Sequence, residues 1–229
     1  MQFRQFFDRE SSTYTYLVAA AEGRDCLIVD PVRGRVEEYL RAIAELDLRL
    51  VAALDTHLHA DHITGLGALA EATGCAARMP AASKVADAAA FADGEEVGLP
   101  SLPMRVMATP GHTGDSCCFL MPDRVLTGDT LLIRGTGRTD FQNGDAHAAW
   151  ASLQKLLALP DQTLVYPGHD YKGWTVSTIG EERRHNPRLQ AGSADAYVEL
   201  MAGLKLERPK LIDAALSANR RLGHGPTVG

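Results

Sequence analysis

The sequence predicts an α+β fold in which two β-sheets stack face to face and helices cover their outer sides. Two observations carry this. Short apolar, strand-like runs come in groups separated by segments of helical periodicity, which is what layered sheets and helices require. Four such runs also end in tight turns carrying His or Asp, and strand ends deliver their loops to one edge of a sheet.

Taken in order, residues 14–18 (Tyr-Thr-Tyr-Leu-Val) are rich in β-formers and read as a strand. Residues 25–30 form a short apolar run stopped by Pro31. Val36, Leu40, Ile43 and Leu46 recur at helical spacing, so a helix is expected over 35–47. Residues 50–54 form a third buried strand, which runs directly into Asp55-Thr56-His57-Leu58-His59-Ala60-Asp61-His62. A helix is expected from near Ile63 to near Gly74, with Asp61 and His62 at its start. Residues 104–108 make a strand ended by Thr109-Pro110-Gly111-His112. Residues 116–121 make another, and after a turn at 122–124 the chain returns through 125–127 toward Gly128-Asp129. A helix is expected over 145–158, a strand over 163–166 ended by Pro167-Gly168-His169, and mostly helix from Val176 onward.

The 229 residues, 45% hydrophobic and 23% charged, exclude disordered and fibrous classes. A net charge of −6 argues against a nucleic-acid partner, which needs a basic face to neutralise phosphates. Charges interrupt the N-terminal decapeptide, so no signal peptide is expected there, and no run approaches the roughly 20 apolar residues of a membrane span. Cys26, Cys75, Cys117 and Cys118 include no C-x-x-C pair, and the neighbours Cys117 and Cys118 point to opposite faces of a strand. Buried, unpaired thiols in a reducing cytoplasm are the expectation. Residues 180–229 carry eight Lys/Arg against six Asp/Glu, while residues 1–179 carry 15 against 23, so a basic C-terminal part on an acidic body suits a small anionic substrate.

The densest chemical signal is residues 57–62, with three imidazoles and a carboxylate within six positions. Each such group needs a hydrogen-bond partner when buried, so a purely structural segment has little reason to collect them. His57 and His59 face the same side of an extended loop. Gly111 allows the tight turn that aims His112, while Asp129 and His169 follow two further strands. His147, His185 and His224 stand outside this pattern.

His57-x-His59-x-Asp61-His62, followed by His112, Asp129 and His169, resembles the signature of the metallo-β-lactamase superfamily. The resemblance implies an αββα sandwich with its metal site at one edge, between the sheets. Residues 1–229 are then expected to form a single domain, with the sandwich in 1–175 and a helical extension in 176–229 packed on it. By ligand number the site suits a two-metal hydrolase such as a glyoxalase II. There His57, His59 and His112 would hold one ion and Asp61, His62 and His169 the other, with Asp129 bridging.

Other motifs resemble the persulfide (sulfur) dioxygenases related to the mitochondrial ethylmalonic-encephalopathy protein. These are residues 135–142 (Gly-Thr-Gly-Arg-Thr-Asp-Phe-Gln), 166–171 (Tyr-Pro-Gly-His-Asp-Tyr), 175–178 with Glu181-Glu182-Arg183, Asn186-Pro187-Arg188-Leu189, and 209–213 with Asn219. Family members often carry Ala where Gly168 stands, a change expected to touch no ligand. The resemblance implies one Fe(II) per chain held by His57, His112 and Asp129, with His59, Asp61, His62 and His169 orienting those ligands and nearby water. It implies a reaction of glutathione persulfide with O2 and water to give glutathione and sulfite, with no nucleic-acid or membrane partner and a homodimeric assembly. Cations and donors after the metal loops, namely Arg138, Tyr171, Lys172, Arg183 and Arg188, are the candidates for binding glutathione.

Overall fold

The computed structural model describes residues 1–20, 23–208 and 212–225. The first sheet has six strands in chain order: β1 (Gln2–Asp8), β2 (Thr13–Ala19), β3 (Asp25–Val29), β4 (Arg49–Leu54), β5 (Ala76–Pro80) and β6 (Ala89–Phe91). β1, β2 and β3 pair antiparallel, and β3 to β6 pair parallel. The parallel crossovers are made by α1 (Val36–Glu45) and α2 (Leu66–Thr73). The second sheet is built from β7 (Arg105–Ala108), β8 (Cys117–Leu120) and β9 (Arg124–Gly128). After a small hairpin, β10 (Leu131–Leu132) with β11 (Gly135–Thr136), and the helix α3 (Ala146–Leu157), come β12 (Leu164–Pro167) and β13 (Ser177–Thr178). The order across this sheet is β13-β12-β9-β8-β7. The chain then forms α4 (Ile179–His185), α5 (Ala194–Ala202) and α6 (Ile212–Asn219).

Strand periodicity divides the apolar residues into layers. In β2, Tyr14, Tyr16 and Val18 point between the sheets, joined by Leu27, Val29, Leu54, Phe119 and Leu126. Their neighbours Leu17, Ala19, Cys26 and Ile28 point outward under α1 and α2, against Tyr39, Ile43 and Leu69. Outside the second sheet, Val125 and Val165 meet Leu153 and Leu156 of α3 and Tyr197 and Met201 of α5. Strands covered on both sides read as continuous apolar runs, which is why they were visible in the sequence. Cys117 faces the inner layer and Cys118 the outer one, as the strand period requires, and all four cysteines are buried and unpaired.

In the first sheet, three strands lie outside the sequence expectations. β1 is an edge strand of mixed polarity, and β5 and β6 are short and rich in Ala, so each lacks the apolar run that marks the others. The mostly helical reading from Val176 is corrected at Ser177–Thr178, which pair with Val165 and Leu164 of β12. α2 begins at Leu66, leaving Asp61 and His62 in the loop ahead of it rather than at the helix start. Pro209, Lys210 and Leu211 lie outside the described residues.

Candidate metal centre

The site forms where loops from both sheets converge. The two sheets are stitched there by an isolated bridge between Thr13 and His169, with Tyr14 N–H donating to Gly168 C=O at 2.8 Å. β4 ends at Leu54 and delivers His57, His59 and His62, all nearly fully buried. β7 ends at Ala108 and delivers His112 through Gly111, whose φ is +143°. A Cβ at Gly111 would lie 2.3 Å from the Ala149 backbone in α3, so glycine lets helix and turn touch. Asp145 completes that junction, accepting the Ala148 N–H as N-cap while its own N–H donates to Gly111 C=O.

One potential ligand atom each from His57, His112 and Asp129 lie within 4.8 Å of one another. His59, Asp61 and His62 form a second such group, and Asp30, Asp55 and His59 a third. The His57 and His59 rings are 4.2 Å apart, and His57 meets His112 edge-on at 4.9 Å. The His112 Nδ1–H donates to Arg138 C=O at 2.7 Å, which leaves Nε2 directed toward Asp129 Oδ2 at 3.5 Å. Asp61 Oδ2 gathers His62 Nδ1 at 2.9 Å, Thr13 Oγ1 at 3.2 Å and His169 Nε2 at 3.2 Å.

Burial, reinforced by the neighbouring rings of His59 and His112, holds His57 well below its ordinary pKa, so it is a neutral imidazole with a lone pair to offer. Burial also depresses His59, but Asp30 and Asp55 outweigh it and carry that ring up to about 10. For Asp129, burial raises the carboxyl while His169, His112 and His57 outweigh it, and the group stays below its usual value. Burial drives Asp55 up to about 8.

The residues fit a bound cation. Among the described residues, seven buried side-chain polar atoms lack a partner, and four belong to this motif: His59 Nδ1, His62 Nε2, Asp129 Oδ1 and His169 Nδ1. Such atoms are costly unless something polar completes them. Asp129 and His169 line a cavity of about 660 Å³, together with His112, Tyr171, Arg138 and Arg188.

A model of the metallo-β-lactamase superfamily matches residues 8–169. The mitochondrial persulfide dioxygenase ETHE1 of Homo sapiens is 42% identical over 224 residues, covering 96% of this chain and 88% of that protein. This chain belongs to the metallo-β-lactamase superfamily and, within it, to the persulfide dioxygenases. The crystal structure of ETHE1 from Myxococcus xanthus matches this persulfide dioxygenase with a TM-score of 0.94 at 52% identity, covering 98% of this chain and 100% of that one. The structure of TTHA1623 in a di-iron-bound form matches it at a TM-score of 0.66 and 28% identity, covering 80% of this chain and 98% of that one.

Not every expected residue of the persulfide dioxygenase reaches the cavity. Arg183 faces away, pairing with Asp161 and donating to Leu157 C=O, because the last turn of α4 lies over the loop before β12. Arg138 lines the cavity, yet its guanidinium is engaged bidentately by Asp140 at 2.7 and 2.8 Å and also donates to Glu207 C=O. Arg188 donates to Thr136 C=O and Oγ1 and has no carboxylate partner among the described residues, although it is half-buried. Tyr171 is 73% exposed at the rim, and the Lys172 ammonium lies 5.4 Å from the Trp174 ring beside an adjoining cavity of about 140 Å³.

Position 168 does touch a ligand candidate. A Cβ there would lie 2.6 Å from Asp129 Oδ1, so Gly168 leaves room for that carboxylate. Sequence reasoning missed Asp30 and Asp55, both buried at strand ends behind the histidines. It also missed Glu182, a fully buried carboxylate that collects Arg134, Ser177 Oγ and Asn186. With Asn186 donating to Gly135 C=O and Arg188 to Thr136, this explains the 175–189 motif: it clamps the β10–β11 hairpin that precedes Arg138.

Proposed function

We propose that this persulfide dioxygenase oxidises glutathione persulfide at one Fe(II) per chain, held by His57, His112 and Asp129. The observation that carries the reading is the convergence of two imidazoles and one carboxylate from both sheets, His112 and Asp129 at the wall of a cavity that Arg188 also lines and His57 buried beside them. Two imidazoles and a hard carboxylate, with open positions beside them, suit Fe(II) in an oxygenase. Bound there, the iron would supply the redox chemistry that combines O2 with the sulfane sulfur. The net reaction takes persulfide, O2 and water to thiol and sulfite, and the sulfane sulfur itself provides the four electrons.

The chain's own residues bind, orient and exclude. Hydrogen bonds at Nδ1 occupy that nitrogen of His57 and His112 and leave Nε2 of each free to ligate. His59, Asp61, His62 and His169 surround that set and can hold water against it. Arg188, Lys172 and Tyr171 line the approach for the carboxylates of glutathione, with Arg138 fixed by Asp140 as part of the wall. No protein thiol takes part. Burial lifts Cys117 well above its ordinary pKa and Cys118 to about 11, so both stay neutral and enclosed.

The rest of the reading follows from the same frame. The sandwich, expected in 1–175, runs on through Ser177–Thr178, and the helices α4 to α6 that follow brace the cavity wall. The protein works in the cytoplasm as a homodimer. No described helix is long and apolar enough to cross a membrane.

The test is O2 uptake on adding glutathione persulfide, together with metal analysis. One iron per chain and prompt uptake are expected. Two metals per chain with glutathione thioesterase activity and no uptake would replace the reading with the two-metal hydrolase.

A further inference from the structure

We propose that Asp30, acting through the Thr56 hydroxyl, is a positioning residue that selects the tautomer of His57. The inference rests on His57 being a metal ligand. Asp30 stands one residue beyond β3, is 1% exposed, and has φ of +51°, a left-handed conformation that costs a non-glycine residue energy. That conformation turns its carboxylate into the start of the histidine loop. Oδ1 accepts the Thr56 backbone N–H at 2.7 Å and lies 3.1 Å from His59 Nε2. Oδ2 accepts the Thr56 hydroxyl at 3.0 Å.

The hydroxyl has one proton, and the geometry gives it to Asp30. The Thr56 oxygen is then left as an acceptor toward His57 Nδ1, 3.0 Å away. His57 must carry its proton on Nδ1, which leaves the Nε2 lone pair for the metal. His112 reaches the same tautomer by a simpler route, because a backbone carbonyl can only accept. The two imidazoles are therefore set by different means, one by a fixed peptide oxygen and one by a hydroxyl that Asp30 polarises. By also holding His59 Nε2, Asp30 fixes how the two neighbouring rings of the motif stack.

The experiment compares Thr56→Val, which keeps shape and loses the hydroxyl, with Thr56→Ser, which keeps the hydroxyl. Fe(II) affinity is read by competition with a chromophoric chelator, and melting of the metal-free proteins is followed in parallel. Thr56→Val is expected to weaken iron binding by roughly 10–100-fold while Thr56→Ser stays close to the parent. Equal iron affinity in Thr56→Val and parent overturns the inference. A second measurement needs no variant: in the ¹⁵N spectrum of the metal-free parent, His57 is expected as the Nδ1–H tautomer, and an Nε2–H signal overturns the inference. His57→Ala separates the two levels. If it keeps its iron, the ligand assignment itself is wrong. If it loses iron while Thr56→Val does not, only the role of Asp30 and Thr56 falls.

Discussion

Beneath the cavity floor His57, His59 and His62 are at most 3% exposed and sit on the one loop that leaves the parallel strand β4, whereas at the rim Tyr171 is 73% exposed and Leu206 45%. The floor is over-determined: Asp30, Thr56, Thr13 and the Arg138 carbonyl each restrain one or more imidazoles. At the rim, Arg188 has hydrogen bonds to Thr136 but no counter-charge among the described residues. The difference separates two tasks. Bond-making at a metal needs ligand positions fixed to fractions of an ångström, and rigid strand ends supply that. Holding a flexible anionic substrate, as proposed, needs cations free to meet it, and a less constrained rim suits that.

Four substitutions break or sharpen this contrast. Asp129→Ala should have the largest effect, abolishing both bound metal and persulfide-dependent O2 uptake, as read by metal analysis and an oxygen electrode. Retained metal would move the centre away from the His57, His112 and Asp129 set. His169→Ala should keep most of the iron and lower turnover by about 10–100-fold, because it orients neighbours rather than ligating. If the metal is stripped, the floor holds more than one kind of ligand set. At the rim, Arg188→Ala should raise KM about tenfold or more with kcat little changed, the scale of a charge-assisted hydrogen bond to a carboxylate. A fall confined to kcat would make Arg188 part of the floor. Arg183→Ala should change KM by less than about twofold, since its partner is the exposed Asp161 and such pairs contribute little.

The same contrast explains what could be read from the sequence. The layered fold was legible because strands buried on both faces are nearly unbroken apolar runs, and the metal residues were legible because imidazoles and acids cluster directly after those runs. Asp30 shares that strand-end position and precedes Pro31, so the signal was present, but a lone Asp before Pro also suits an ordinary turn. The rim was not legible. Whether an arginine meets substrate depends on who else claims its guanidinium, and nothing local announced that Arg183 would pair with Asp161 across 22 positions or that Arg188 would lack an acid. Nor could spacing show that Gly168 lies against Asp129, because that contact joins the ends of two adjacent strands.

The bridge between Thr13 and His169 marks where the two sheets meet, and the metal candidates straddle that seam: His57 comes from the first sheet, His112 and Asp129 from the second. An ion held there is therefore a clasp as well as a catalyst. Parting the sheets would release it, so mass action ties their cohesion to metal supply, by about 2.7 kcal/mol when the free metal stands at 100 times Kd. A cell short of that metal would then hold not merely an idle enzyme but one whose halves come apart more readily, open to proteolysis along the seam.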